Sequence, residues 1–322
     1  MPKDSDALKN AQTQAHSHLD AAQERRRHFL KVASLAAGAI AFAPLLMAQP
    51  YADTSSKRTI LITGSTSGMG RRLAERLAGP TTTVLIHGRS RIRGEEAVAA
   101  IRNAGGDARF YAADFASLAE VRGLAEAVLR DHTRLDLLVN NAGIYLGQPE
   151  TRQLSRDGHE LRFAINYLAP VALTQRLIPL LKTSRPARII NVASSGQNAI
   201  DFDDVMLARG YSHQRAYGQS KLALIMYTID LARELQGSGV TANAVHPANY
   251  MDTPMVRDAG IRPWSSVDEG SNAVLHLANA VALQDRTGLY FSGQSESRAS
   301  TQAYDEQARA RLRTLTAQLT DT

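Results

Sequence analysis

The sequence of 322 residues contains no cysteine, which excludes disulfide bonds, thiolate catalysis and cysteine-based metal sites. It also lacks a strong charge of one sign, since 37 basic and 31 acidic residues give a net charge of +6. There is no basic stripe with interleaved aromatic residues, so we expect no nucleic acid partner. The nine histidines show no H-x-x-x-H spacing on a predicted helix, and we expect no metal. The 44% of hydrophobic residues is enough for a sizeable core.

Residues 1–52 are predicted to be a signal peptide with a disordered N-terminal extension. A polar stretch is followed by a basic run at Arg25–Arg27, an apolar stretch at Val32–Met47 and a small, polar exit. Sixteen residues are short for a bilayer span, which needs about 18 or more. Cleavage after Ala48 or after Ala52 remains open.

The run from Arg26 to Lys31, R-R-H-F-L-K, resembles the twin-arginine export motif. This resemblance implies transient contact with the twin-arginine translocation machinery and a periplasmic or otherwise extracytoplasmic location. Because that system carries folded cargo, it suits a protein that acquires a nucleotide before export. The alternatives are a basic amphipathic N-terminal helix and an uncleaved membrane tether.

Residues 53–322 are predicted to form one α/β domain of Rossmann type. Short runs of Val, Ile and Leu alternate with segments of helical period, which indicates a doubly wound parallel sheet with helices on both faces. We expect about seven strands, at Thr59–Thr63, Thr83–His87, Ala108–Ala112, Leu135–Asn140, Ala187–Ala193, Thr241–His246 and Gly288–Phe291. The predicted helices include Gly94–Ala104, Leu118–Arg130, His159–Leu181, Arg215–Leu235 and a C-terminal helix at Asp305–Leu319 that serves packing or an oligomer contact.

A glycine-rich loop follows the first predicted strand and opens a helix. Glycines let a backbone turn close to a pyrophosphate, and the helix N-terminus offers free N–H groups. The spacing T-G-x-x-x-G-x-G resembles the short-chain dehydrogenase/reductase family. The loop residues expected to contact a dinucleotide are Gly64, Ser65, Thr66, Ser67, Gly68, Met69 and Gly70.

The end of the second strand predicts which dinucleotide is bound. An acidic residue there would bond the ribose 2′-hydroxyl, whereas an arginine would pair with a 2′-phosphate. The sequence offers Gly88, where NAD-preferring members of the resembling family usually have Asp, followed by Arg89, Arg91 and Arg93. We therefore expect NADP or NADPH, with Arg89 as the main phosphate partner. Arg91 and Arg93 are either further phosphate contacts or a solvated helix start.

Two further segments match the family in order along the chain. An Asp-Phe pair follows the third strand, where the family's Asp caps the adenine, and N-N-A-G closes the fourth. The resemblance assigns cofactor contacts to Asp114, Phe115, Asn140, Ala142 and Gly143.

Tyr217 and Lys221 are spaced to lie on one face of a helix. A free tyrosine has a pKa of about 10, and a nearby ammonium favours its phenolate form. The spacing alone also fits an ordinary tyrosine on a helix face, but the pair follows the fifth strand, where the resembling family places its Tyr and Lys. The resemblance therefore implies that Tyr217 is the catalytic acid/base and that Lys221 favours its phenolate. The resemblance adds that Lys221 also holds the nicotinamide ribose.

The family places a serine beyond the fifth strand to stabilise the substrate oxygen. Ser194 matches that position, with Ser195 as the alternative. Asn166 matches the family's helix asparagine, which helps to hold the water that relays protons to the lysine. The alternative role of Asn166, a buried side chain that hydrogen-bonds the backbone, is compatible with holding this water.

After the sixth strand the sequence departs from the family pattern. Ala248 replaces the usual glycine, and Thr253 lies six residues beyond Pro247 instead of five. We expect a bulge in this segment, with Pro247 and Thr253 as cofactor contacts.

Twenty-three positions separate the catalytic serine from the tyrosine, and the extra segment, residues 197–213, resembles the retinol-dehydrogenase-like branch. In that branch the segment walls the substrate cleft. With Tyr145, Tyr250, Met255 and Trp264 it predicts a partly apolar cleft for a lipophilic or aromatic carbonyl or alcohol.

Two other functions remain open at this point. One is a redox sensor that binds NADP without turnover, and the other is an epimerase or dehydratase on the same fold. The resemblance further implies a homodimer or homotetramer formed through the helices around Asn166 and Tyr217.

Overall fold

A single sheet runs through the described part of the chain, which comprises residues 57–145 and 151–320 of a computed structural model. The predicted export signal, residues 1–52, lies outside these ranges. Seven strands are parallel and the eighth is antiparallel to the seventh, in the order β3-β2-β1-β4-β5-β6-β7-β8. The strands are β1 Arg58–Ile62, β2 Thr82–Gly88, β3 Asp107–Ala112, β4 Leu137–Asn140, β5 Ala187–Val192, β6 Val240–His246, β7 Tyr290–Ser292 and β8 Ser295–Ser297.

The strand order reverses between β1 and β4, because β1 pairs with β2 on one side and with β4 on the other. In open α/β sheets such a switch point leaves a crevice at the carboxyl ends of the strands, where ligands bind. The predicted fold class is confirmed. The sheet has eight strands rather than about seven because β8 is a short, exposed Ser-Glu-Ser segment without an apolar pattern.

Helices cover both faces of the sheet. Those on one face pack against a core that includes Ile60 and Val84, and those on the other against a core that includes Leu61 and Leu85. This alternation of neighbouring strand residues is the period of two that a buried strand requires. The helices are α1 Gly68–Leu77, α2 Arg91–Asn103, α3 Leu118–Asp131, α4 Leu161–Phe163, α5 Ala169–Thr183, α6 His213–Glu234, α7 Pro254–Asp258, α8 Val267–Asn279 and α9 Glu306–Thr320.

Serine side chains start several of these helices. Ser90, Ser117, Ser212 and Ser266 each accept a hydrogen bond from the backbone N–H three residues later, which satisfies a donor that the helix leaves free. The cap at Ser90 explains why α2 begins three residues before the predicted Gly94.

The helix predicted at His159–Leu181 is interrupted. Between α4 and α5 lies a π-helical turn, Ala164–Leu168, with Asn166 at its centre. Single π turns of this kind occur often at functional sites. From this turn the side chain of Asn166 bonds the backbone of Ile144, after β4, and the hydroxyl of Ser220 on α6.

The C-terminal helix α9 packs on α6, as the sequence predicts for residues 305–319. The Tyr167 hydroxyl bonds Thr316 at 2.6 Å. Arg309 is buried and lies 2.8 Å from Asp230 of α6. Thus α9 supports the outer side of the helix that carries Tyr217 and Lys221.

No helix in residues 57–145 or 151–320 combines the length and the apolar character needed to cross a bilayer. Over the same residues, no group of three or more His, Asp or Glu side chains is arranged to hold a metal ion.

Candidate active site

A cleft of about 750 Å³ opens at the carboxyl ends of the strands, beside the switch point. It brings together most of the residues that the sequence singled out. Those that line it are Gly64, Thr66, Ser67, Gly68, Met69, Gly70, Arg89, Asp114, Phe115, Ala142, Gly143, Ser194, Tyr217, Lys221, Pro247 and Thr253.

The glycine loop needs two of its glycines for steric reasons. Gly64 has a φ of +64°, and a Cβ there would lie 2.8 Å from the Cα of Ala142. A Cβ on Gly70 would lie 2.4 Å from the carbonyl oxygen of Gly64. Helix α1 therefore packs directly against the loop. Ser67, at the start of α1, makes no side-chain capping hydrogen bond in the described structure, so the first N–H groups of the helix, beside the cleft, are left without a side-chain partner.

Ser65 does not line the cleft. Its hydroxyl donates to the carbonyl of Ile62 at 2.6 Å and accepts from the backbone N–H of His87 at 3.0 Å. The side chain of Ser65 therefore anchors the loop to β2 from behind.

Asn140 also lies behind the wall of the cleft. Its amide donates to Thr174 at 2.9 Å and to Asn191 at 2.7 Å inside the core. Its neighbour Asn141 lines the cleft instead, and its amide donates to the carbonyl of Thr63 at 2.8 Å.

Thr63, the first residue of the T-G-x-x-x-G-x-G motif, has a structural role that the sequence analysis did not assign. Its hydroxyl oxygen accepts from the N–H groups of Asn141 and Ala142, at 2.9 Å each, and so ties the end of β1 to the turn after β4. The motif includes this threonine, but its spacing does not show which backbone groups the hydroxyl bonds.

The adenosine end of the cleft is cationic. Arg89 and Arg93 line it, and neither has an ion-pair partner within the described residues. Arg91 does not line the cleft and lies 3.8 Å from Glu95, which fits a solvated helix start, whereas Arg93 lines the cleft. A Cβ on Gly88 would lie 2.6 Å from the Cγ2 of Thr66, so an acidic side chain there would have to displace that threonine.

The Asp114–Phe115 pair forms the next part of the wall. The N–H of Asp114 donates to Glu120 at 2.7 Å, and the carboxylate lies 3.5 Å from Arg156. Phe115 is buried and stacks on the ring of His87, with 4.4 Å between centroids.

At the other end of the cleft, α6 presents Tyr217 and Lys221 together. The ammonium of Lys221 lies 5.7 Å from the centre of the Tyr217 ring and donates to the carbonyl of Val192 at 2.8 Å. Burial lowers the pKa of Lys221 to about 8. The backbone at Gly143 lies very close to Lys221, since a Cβ on Gly143 would lie 3.4 Å from the Lys221 nitrogen.

The pKa of Tyr217 departs from the sequence-based expectation. Burial raises it, and a hydrogen bond with Ser194 opposes the rise. The ammonium of Lys221, which lies over the ring and donates to Val192, does not offset this rise in the protein alone. A phenolate at neutral pH therefore requires further positive charge in the cleft.

The two candidate serines face different neighbours. Ser194 is buried beside Tyr217 and accepts from the N–H of Gly196 at 3.0 Å. Ser195 is exposed and lies 3.3 Å from the imidazole of His246. Of the two, Ser194 is the one that lies beside Tyr217.

Asn166 lies beneath the cleft and is fully buried. Its amide oxygen accepts from the N–H of Ile144 at 2.8 Å, and its nitrogen donates to the carbonyl of Ile144 at 3.0 Å and to Ser220 at 3.0 Å. It thus joins the segment after β4 to α6, directly behind the lysine.

The segment after β6 contains the expected irregularity. Tyr250 has a φ of +39°, an unusual conformation for a residue with a side chain. Thr253 begins α7 and packs against the loop, since a Cβ on Gly68 would lie 3.3 Å from its Cγ2.

The substrate side of the cleft is aromatic. Tyr145 packs edge-on against Tyr217, with ring centroids 4.5 Å apart, and Tyr250 and Met255 also line the space. Trp264 does not line it. That side chain is 74% exposed and packs against Tyr250 from outside.

The extra segment, residues 197–213, contributes less to the cleft than predicted. Gln197 and Asn198 line it, but the remainder turns away. Ile200 exchanges two hydrogen bonds with Gln302, at 2.7 and 3.2 Å. The segment is therefore anchored near the C-terminal end of the domain.

These residues fit a nicotinamide dinucleotide. The glycines of the loop leave space that side chains would otherwise fill. The uncapped N–H groups of α1 and the two arginines can bind phosphate groups, and the buried ammonium of Lys221 can donate to ribose hydroxyls.

Comparison with known proteins gives a consistent result. A family model described as short chain dehydrogenase matches residues 58–263. Retinol dehydrogenase 13 from Homo sapiens is 34% identical over 315 residues, which cover 89% of this chain and 93% of that protein. Polyprenol dehydrogenase from Mus musculus is 34% identical over 290 residues, 84% of each chain.

Solved structures share the fold. An uncharacterised protein from Mycobacterium paratuberculosis matches with a TM-score of 0.69 at 30% identity, covering 84% of this chain and 95% of that one. A short chain dehydrogenase from Burkholderia cenocepacia in complex with NADP matches with a TM-score of 0.59 at 27% identity, covering 73% and 95%.

Proposed function

Because this chain belongs to the short chain dehydrogenase family, we propose that it is an NADP(H)-dependent alcohol/carbonyl oxidoreductase with Tyr217 as its acid/base. The observation that carries the proposal is the convergence of Tyr217, Ser194 and Lys221 in one cleft. The bound nicotinamide would supply or accept the hydride.

The residues of the chain handle the proton and the oxygen. The Tyr217 hydroxyl donates a proton to the oxygen of a carbonyl substrate during reduction and takes it back during oxidation. Ser194, held by the N–H of Gly196, donates a hydrogen bond to the same oxygen as negative charge develops on it. Lys221, held at Val192, contributes part of the positive charge that stabilises the phenolate form of Tyr217, and an oxidised nicotinamide would supply the remainder.

The cationic adenosine end supports NADP(H) over NAD(H). Arg89 and Arg93 are free to pair with a 2′-phosphate, and Gly88 leaves no acid to bond a 2′-hydroxyl. NADP is also present in the Burkholderia cenocepacia relative.

A lipophilic substrate fits the wall formed by the two aromatic rings of Tyr145 and Tyr250 and the apolar side chain of Met255. Similar proteins are named retinol and polyprenol dehydrogenases, whose names denote lipophilic alcohols. We propose that this chain takes an extended or aromatic apolar alcohol or carbonyl compound.

The test is turnover of a panel of short, long-chain and aromatic alcohols and aldehydes, with NADPH and with NADH. We expect Tyr217→Phe to lower kcat/KM by at least about 100-fold. Tyr304→Phe, outside the cleft, should leave kcat/KM unchanged. Equal turnover by Tyr217→Phe would refute the mechanism, and a preference of the wild type for NADH would refute the Arg89 assignment. Nucleotide binding without turnover on any substrate would favour a redox sensor.

We also propose export by the twin-arginine route, on the basis of the motif at Arg26–Lys31. Replacing Arg26 and Arg27 together by lysine should retain the precursor in the cytoplasm, as measured by cell fractionation. Unchanged export of the double variant would contradict this proposal.

A further inference from the structure

His87 has an unusual position for a histidine. It is buried near the end of β2, one residue before Gly88, and both of its ring nitrogens have hydrogen-bond partners. Nδ1 accepts from the N–H of Gly64 at 3.1 Å, and Nε2 lies 3.2 Å from the carbonyl oxygen of Ala113. Because a carbonyl only accepts, Nε2 carries the proton and the ring is the neutral tautomer.

The ring thereby joins three segments of the nucleotide cleft. Gly64 begins the glycine loop, His87 belongs to β2, and Ala113 leads into the wall at Phe115, on which the ring stacks. The backbone reinforces the first connection, since the N–H of Ser65 donates to the carbonyl of His87 at 2.9 Å.

We propose that neutral His87 is a positioning residue that fixes the glycine loop and the Phe115 wall in the geometry required for dinucleotide binding. This inference rests on the proposed function. His87 does not act in hydride or proton transfer, because it lies at the opposite end of the cleft from Tyr217. Its removal should raise the Kd for NADPH and leave kcat at saturating NADPH nearly unchanged.

The protonated ring would lose this role. An imidazolium has no acceptor, so the N–H of Gly64 would face a second N–H. Burial lowers the pKa of His87 to about 4, which keeps the ring neutral above about pH 5.

The ionisable groups around His87 come from three elements. Asp114, after β3, acts in the opposite direction and raises the pKa of His87, and its backbone is bonded by Glu120 of α3. Arg89 lies two residues beyond His87, directly after β2. Tyr111 is the register partner of His87 on β3, and its own pKa is raised to about 12, so it stays neutral. Residues 63–68 of the glycine loop contain no ionisable side chain.

The experiment measures the Kd for NADPH of the full chain between pH 4.5 and 8. His87→Phe keeps the stacked ring and removes both polar atoms, and we expect its Kd to be about tenfold higher at pH 7.5. His87→Asn can place its amide oxygen where Nδ1 lies, and it should recover part of that loss. His132→Phe, at a histidine that bonds Tyr111 away from the cleft, is the matched control and should bind as the wild type does.

Rescue by His87→Asn and the split between binding and turnover separate positioning from general destabilisation. Because the wild-type ring is neutral above about pH 5, the ratio of the Kd of His87→Phe to that of the wild type should stay at about tenfold from pH 5 to 8. A ratio near one at pH 7.5, no recovery of binding in His87→Asn, or a loss of kcat at saturating NADPH as large as the loss of binding would overturn the inference. If the wild type itself does not bind NADPH, the proposed function fails.

Discussion

Replacing Lys221 by methionine should make the free protein more stable while abolishing its activity. The ammonium is buried, and burial lowers its pKa from 10.5 to about 8. That difference corresponds to about 3 kcal/mol of folding free energy, since each pKa unit is about 1.4 kcal/mol. Methionine removes this charge but leaves the Val192 carbonyl without its donor, which costs about 1 kcal/mol. The variant should therefore gain about 2 kcal/mol at pH 7.

The direction in which stability changes with pH follows from the lowered pKa of Lys221. Between pH 8 and 10.5 the unfolded wild type still binds the proton that the folded wild type has released, so the wild type gains stability as pH rises. The methionine variant lacks this group. The advantage of the variant should therefore shrink to nearly zero by about pH 9.5.

The assay is urea unfolding of the free protein at pH 7 and at pH 9.5, beside a turnover assay. Lys182→Met is the matched control, because Lys182 is exposed on α5, and its stability should match the wild type at both pH values. We expect turnover of Lys221→Met to fall by at least about 100-fold. A variant less stable than the wild type at pH 7, or an advantage that does not change with pH, would refute the reasoning.

Two further predictions concern the cofactor and the C-terminal helix. Gly88→Asp should raise the Kd for NADPH at least about tenfold and shift the preference toward NADH. Adding Thr66→Ser in the same chain removes the Cγ2 that the new side chain would contact. Unchanged Kd values for both nucleotides would contradict the assignment of the 2′-phosphate to this end of the cleft. Asp230→Ala leaves Arg309 buried without its carboxylate and should lower the free energy of unfolding by about 3 kcal/mol. Asp203→Ala breaks only an exposed ion pair, so thermal unfolding should change by less than about 1 kcal/mol, and equal losses in the two variants would count against a buried clamp.

Sequence reasoning succeeded where the chain order of the motifs fixes a place in the fold. The glycine loop, Ser194, Tyr217 and Lys221 each follow a buried strand at the carboxyl edge of the sheet, so their meeting in one cleft could be predicted without coordinates. The fold class followed from the same alternation of apolar runs and helical segments.

Sequence reasoning was limited where the direction in which a side chain points decides the role of that residue. Asn140 and Asn141 are adjacent and chemically identical, yet one lies in the core and the other lines the cleft, because successive residues of an extended chain point to opposite sides. For Tyr217 and Lys221, helical spacing placed the pair together but did not show that the ammonium is directed to Val192. The sequence analysis placed Trp264 in the cleft, and no pattern in the sequence showed that its side chain packs on the outer side of Tyr250.

Trp264 also provides an intrinsic fluorescence probe of the cleft. It is the single tryptophan of the chain, its ring centroid lies 5.1 Å from that of Tyr250, and Tyr250 lines the cleft. Emission excited at wavelengths that tyrosine does not absorb therefore originates from one indole at the mouth of the cleft. Because reduced nicotinamide absorbs in the range where indole emits, quenching by energy transfer gives a label-free titration of NADPH.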